Sequence, residues 1–183
     1  VTVTAFSFDL VSMTESLKAA SHRFVNVKVY VDRSHALRGT TLKMLDRLEE
    51  LRQHGVCVFL VTGLGSGGIQ HSKSVYTDGF ILLGSANWTE SSRTNHEFGV
   101  VLELEGEGRH LLRQRMQVMH AHSEPLTPQI YFDARRARDE KEKEKEKKQR
   151  SQSVDVGQTA RRFSIARKRA QEKALLAENP EEV

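Results

Sequence analysis

The sequence is short of several things, and each shortage narrows its function. It has one cysteine, Cys57, among 183 residues. That excludes an internal disulfide and a multi-cysteine metal site. Cys57 sits in Val56-Cys57-Val58-Phe59-Leu60-Val61, a run that reads as a buried strand and fits a reducing compartment. No apolar run approaches the roughly 18 residues needed to cross a bilayer. No internal repeat is visible. The chain opens at Val1 without a methionine, already inside an alternating strand pattern. The expectation is a removed leader or a fragment, so a targeting or anchor segment could be missing.

The first 130 residues also lack a net charge. They hold 13 Lys+Arg against 13 Asp+Glu, and the remainder holds 15 against 11. The formal +4 and the pI near 9.3 therefore belong to the tail. A basic pI in this chain is no sign of a basic face on the folded part.

Strand and helix signals alternate as far as residue 130. Val1, Val3, Ala5, Phe6 and Phe8 suggest a strand. Ser12-Met13-Thr14-Glu15 has the form of a capping box, ahead of Met13, Leu17, Ala20 and Phe24 at helical spacing. Val27, Val29 and Val31 form a strand ending at Asp32. Thr40 or Thr41 would cap a helix through Leu42, Leu45, Leu48 and Leu51, closed by His54-Gly55. Residues 56–61 read as a central strand covered on both faces. A glycine loop, 63–68, leads to strands near 71–77 and 80–84, joined by the hairpin dipeptide Asp78-Gly79. Phe98–Leu104 is a further strand. A helix over 108–122 carries Leu111, Leu112, Met116 and Met119, and ends before Pro125 and Pro128. Gly63-x-Gly65-x-x-Gly68 matches a dinucleotide fingerprint but is followed by a strand where the fingerprint needs a helix, so it reads as a loop.

The expected architecture is α/β, with a catalytic domain over 1–124, a linker over 125–132 and a charged low-complexity tail over 133–183. The run Glu140–Lys147 strictly alternates charge. Opposite signs fall at i,i+3 and like signs at i,i+4, so helix-supporting and helix-opposing pairs compete. A marginal helix or disorder follows. A second amphipathic stretch, 159–178, carries Arg161, Arg162, Arg167, Lys168 and Arg169. Arg161-Arg162-Phe163-Ser164 has the form of a basophilic phosphorylation site at Ser164, weighed against an unmodified basic helix. The basic cluster also suits an acidic membrane surface or nucleic acid.

The chemistry-bearing stretch is His71-Ser72-Lys73-Ser74-Val75-Tyr76-Thr77-Asp78, then Gly84-Ser85-Ala86-Asn87-Trp88-Thr89, then Asn95-His96-Glu97. Residues two apart on a strand share a face, so His71 and Lys73 project together. The next turn brings the Ser85 hydroxyl and the Asn87 amide to the same end. A cation, amide donors and a nucleophilic imidazole suit a phosphodiester. Glu97 is placed to accept from the second ring nitrogen of His71 and fix its tautomer. His120 and His122, two apart on a helix, diverge and make a poor metal pair.

This pattern resembles the phospholipase D superfamily, whose signature is H-x-K-x4-D followed by G-S-x-N. His71, Lys73, Asp78, Gly84, Ser85 and Asn87 match it. Trp88-Thr89 and Asn95…Glu97 are similar to its single-motif branch, which holds small bacterial endonucleases and mitochondrial cardiolipin hydrolases. One departure is that five residues separate Asp78 from Gly84, where the pattern usually has six. The resemblance implies an α-β-α sandwich with a mixed sheet, and an opening strand and helix that would precede Val1. It implies a metal-free, cofactor-free phosphodiester hydrolysis through a phosphohistidine on His71. Lys73 and Asn87 would hold phosphate oxygens, Ser85 would support them, Glu97 would orient a histidine, and Asp78 and Gly84 would be structural. A single motif supplies one histidine where two are needed, which implies a homodimer with a shared site. The substrate reads as a phospholipid, with single-stranded nucleic acid as the alternative. An inactive scaffold with an interacting tail is the remaining alternative.

Overall fold

The computed structural model describes residues 1–38, 42–145 and 167. It divides into two compact units, 1–135 and 136–183. In the first, seven strands form one mixed sheet in the order β6-β5-β4-β1-β2-β3-β7. The strands are β1 (Thr2–Ala5), β2 (Lys28–Asp32), β3 (Cys57–Val61), β4 (Ser74–Tyr76), β5 (Phe80–Gly84), β6 (Gly99–Glu103) and β7 (Ser123–Pro125). The helices are α1 (Val11–His22), α2 (Arg33–Arg38), α3 (Lys43–Gln53) and α4 (Gly106–Ala121), and residues 128–135 are also helical. In the second unit, residues 136–145 are helical. The Thr40/Thr41 cap, the 159–178 stretch except Arg167, and Ser164 lie outside the described residues.

The sheet has two halves. β1, β2 and β3 run parallel, with helices in the crossovers. β4, β5 and β6 form an antiparallel meander that meets β1 through β4, from Thr2–Tyr76 to Thr4–Ser74. Alternation along the strands divides their side chains between two faces. Val3, Ala5, Val29, Val31, Val58 and Leu60 line one face, against Leu17 of α1 and Leu45, Leu48 and Leu51 of α3. Burying each such leucine stabilises the fold by roughly 1.5–3 kcal/mol. Thr2, Thr4, Lys28, Tyr30, Phe59, Ser74, Tyr76, Ile81 and Leu83 share the other face, beneath α4. That face is covered less closely, because no α4 residue is buried. The edge strand β6 exposes Val101 and Leu102, next to an exposed Phe98.

Several expectations are corrected. Ser12 lies inside α1 and caps nothing. Leu10 is the boundary residue, and the Glu90 carboxylate accepts from the Val11 N–H at 3.1 Å. A distant acid thus displaces the local capping box. Phe24 is not on the apolar face of α1. It follows the helix in a left-handed conformation, φ 63°, and is almost fully exposed. Cys57 is exposed, because it opens β3 beside Lys28 on the loosely covered face. The short helix α2 was not expected. It starts where Asp32 Oδ1 accepts from the His35 N–H at 2.7 Å. The expected linker, 125–132, packs onto the domain. Pro125 pairs with Phe59 in β7, and Leu126 is buried, its N–H bonded to the Val58 carbonyl. Ile130 and Tyr131 also rest on the core.

Candidate active site

Asp32 ends β2 and is 1% exposed. Its Oδ1 accepts from the Ser34 hydroxyl at 2.6 Å and the His35 N–H, and its Oδ2 accepts from the Gln70 N–H at 2.9 Å. A buried carboxylate is tolerated because it is supplied with donors. One consequence is positional: Gln70 is held just before His71. The Gln70 side chain braces the next turn, with its Oε1 accepting from the Ser72 N–H at 2.8 Å and its Nε2 donating to the Ser72 carbonyl.

From this anchor His71 and Lys73 project to one side and Ser72 and Ser74 to the other. The regular strand is shorter than expected, since β4 begins only at Ser74. The predicted pairing is nonetheless present. His71 is exposed and Lys73 is 7% exposed. Lys73 Nζ lies 3.2 Å from Nδ1 and 3.1 Å from Nε2 of His71, and donates to the His71 carbonyl at 2.8 Å. Burial lowers the pKa of Lys73 below its ordinary 10.5, and the nearby Glu97 charge partly opposes this. The ammonium also stands 5.7 Å from the centre of the Phe6 ring. Phe6 stacks on His35 at 4.3 Å and meets His71 tilted at 4.9 Å.

The second part of the motif is tied to the first through the backbone. The Gly84 N–H donates to the Lys73 carbonyl at 3.2 Å. A Cβ on Gly84 would come within 2.9 Å of the Phe98 carbonyl oxygen, so this crossing admits only glycine. Ser85 bonds Phe98 from both sides, by its N–H to the carbonyl and by its hydroxyl from the N–H. The Ser85 hydroxyl donates to Glu97 Oε2, and Asn95 Nδ2 donates to Oε1 at 3.2 Å. These two bonds, Ser85 first, hold the Glu97 carboxyl below its ordinary pKa, with a smaller contribution from Lys73. Glu97 is thus committed to Ser85 and Asn95, and the expected bond to the His71 ring is not formed.

Two residues past Ser85, Asn87 has a buried Oδ1 with no partner among the described residues. Buried acceptors are rarely left orphaned, and those that are call for an explanation. Trp88 anchors the turn, donating from its indole to the Thr4 carbonyl at 3.0 Å and accepting the Asp9 and Leu10 N–H groups at its own carbonyl. Lys73, Gly84, Ala86, Trp88, Glu97 and Phe98 line a hollow of about 190 Å³. Asp78 stays apart, exposed in the hairpin turn that the Thr77 N–H closes on the Phe80 carbonyl. No cluster of three or more His, Cys, Asp or Glu suited to a metal occurs among the described residues.

Sequence reasoning missed Asp32, Gln70, Phe6 and His35 as parts of this region. Asp32-Arg33-Ser34-His35 did carry a signal, since an acid at a strand end with N–H groups following is a helix N-cap pattern. Nothing in the sequence announces that its other oxygen reaches Gln70.

The sequence model of the family described as cardiolipin synthase, PLD-like domain, matches residues 1–120. The chain belongs to this phospholipase D-like family. Solved structures agree in fold. Nuc from Salmonella typhimurium, a phospholipase D family member, superposes with a TM-score of 0.59 at 23% identity, covering 68% of this chain and 79% of that one. NucT from Helicobacter pylori gives 0.58 at 19% identity, covering 68% and 80%. A phosphatidylserine synthase from Haemophilus influenzae gives 0.53 at 15% identity, covering 68% of this chain but 33% of its own. None of the curated proteins matches the sequence significantly. In this phospholipase D-like domain, the motif stands at the join between the two halves of the sheet, with β4 placed beside β1.

Proposed function

We propose that the chain is a phosphodiester hydrolase that cleaves a phospholipid through a phosphohistidine, as a homodimer with a shared site. The observation carrying this reading is the buried Lys73 ammonium held against the ring of an exposed His71. A ring nitrogen of His71 attacks phosphorus, and the bond to the leaving oxygen breaks. The second subunit's copy of that histidine gives its proton to the leaving oxygen. It then takes a proton from water, which attacks phosphorus and breaks the P–N bond. Lys73 and Asn87 bind the non-bridging oxygens. The Glu97–Ser85 pair stiffens the turn that presents Asn87. No metal enters these steps.

A phospholipid is favoured over nucleic acid because the first 130 residues carry no net charge, whereas a nucleic-acid groove is basic. Exposed Phe98, beside the hollow of Lys73 and Glu97, suits an apolar interface. The deciding experiment adds chelator and offers cardiolipin-containing vesicles and single-stranded DNA in parallel. Product from the vesicles alone supports the lipid reading. Product from DNA alone, with binding that falls steeply with salt, replaces it by a nuclease. A folded protein that cuts neither favours a scaffold. A monomeric mass at full activity removes the shared site.

The pH profile tests Lys73 separately. Its protonated form binds phosphate, so the rate falls as pH rises through a pKa that burial has set below 10.5. The Glu97 charge raises that pKa. In Glu97→Gln the alkaline limb therefore moves to lower pH. A limb that stays in place would show that Lys73 does not set it.

A further inference from the structure

Beneath α4, on the sheet face opposite His71 and Lys73, two hollows meet at Met116. The larger, about 350 Å³, is walled by apolar side chains, among them Val61, Ile69, Ile81, Leu83, Leu112 and Met119. Arg115 is the one fully charged group in its lining among the described residues. The smaller, about 260 Å³, is of the opposite character. Lys28, Arg113 and His120 line it together with Tyr30 and Tyr76. No carboxylate among the described residues lines either hollow. Among the described residues, the side chains of Lys28, Arg113 and Arg115 have neither an ion pair nor a hydrogen bond. The Tyr30 hydroxyl and His120 Nδ1 are paired at 3.1 Å, which steadies the floor.

We propose that this groove binds a single-chain anionic amphiphile, with its hydrocarbon chain in the apolar hollow and its carboxylate or phosphate between Lys28 and Arg113. The apolar hollow is of a size and lining that small ligands fill. A chain lying there removes apolar wall from water, at about 25 cal/mol per Å². Two unpaired cations at the far end supply charge-assisted bonds to a carboxylate or phosphate. The absence of any carboxylate in the lining sets the sign of the ligand. The face is distinct from that of His71, so the ligand is not the substrate of the proposed hydrolysis and binding does not depend on that reading. It does lie against the back of the motif strand, since Gln70 and Ser72 border the apolar hollow.

The test titrates the full chain with decyl phosphate, decanoate, decanol and inorganic phosphate, each below its micelle concentration, and follows heat. Saturable one-to-one binding of decyl phosphate or decanoate is expected, at least tenfold tighter than of decanol or inorganic phosphate. The tighter of the two acids identifies the head group. Lys28→Ala, at a half-buried position, and Arg113→Ala, at an exposed one, weaken the acid at least tenfold and leave decanol unchanged. Leu112→Trp, which fills the apolar hollow, removes binding of all three alkyl probes, and circular dichroism confirms that each variant is folded. Lys73→Ala leaves binding intact. Equal affinity for decanol and decyl phosphate overturns the proposal, as does loss of binding in Lys73→Ala. Absence of binding, including that from a second copy or the chain's own 136–183 segment covering the groove, also overturns it.

Discussion

His71→Ala is expected to lower hydrolysis of a simple phosphodiester by roughly three orders of magnitude or more, the scale on which losing a nucleophile acts. The thermal midpoint should barely move. His71 is exposed, and surface substitutions away from special features usually cost within about 0.5 kcal/mol. The buried Lys73 keeps its bond to the carbonyl of residue 71, which the substitution retains. The pair of readings is what makes the experiment informative. A rate that falls with an unchanged midpoint assigns the ring to the chemistry. A rate within about tenfold of the wild type would mean that another group attacks phosphorus.

Asp32→Ala has the largest expected effect on stability. The side chain serves three donors, and the Gln70 N–H is buried with it. A buried donor stripped of its acceptor costs about 1–3 kcal/mol, so the loss sums to about 3 kcal/mol. In a domain of this size the midpoint then falls by roughly 10 °C. Asp32→Asn keeps one acceptor oxygen and should lose about half as much. Scanning calorimetry on the three proteins decides the matter. A midpoint for Asp32→Ala within about 2 °C of the wild type would show that the carboxylate is not an anchor.

The contrast between these two residues marks how far the sequence can be read. His71, Lys73, Ser85 and Glu97 were legible because their spacing is local. Strand alternation puts 71 and 73 together, and a short turn returns the chain. β2 and α3 were legible because their apolar residues repeat with the period of the element they build, and β3 because it is an unbroken apolar run. What escaped depends on partners distant in the chain. Asp32 reaches across to Gln70, Glu90 replaces the Ser12 cap, and β7 is a three-residue strand that exists only because β3 offers it an edge. Its Pro125 reads locally as a stop signal. The Glu97 contact was misjudged for a related reason: proximity in the motif was legible, but not which of two neighbours would claim the carboxylate.

The place of β1 in the strand order has a bearing on how the molecule assembles and opens. β1 holds the fourth position in the sheet, and it pairs on one side with β2, near in sequence, and on the other with β4, some seventy residues further along. The parallel half closes through short crossovers, whereas its join to the meander spans three residue pairs, Thr2 to Thr4. Cooperative units in native proteins follow such divisions, and the less deeply buried one exchanges its amides first. Here that unit is the meander, whose outer strand is largely exposed. Opening at that seam carries Lys73, Gly84 and Ser85 together, because the Gly84 N–H is bonded to the Lys73 carbonyl, and it draws them away from Phe6 and the Trp88 anchor while the core around α3 stays intact. The seating of the candidate site thus depends on this seam and on the Trp88 anchor, and it can be lost well before the protein unfolds.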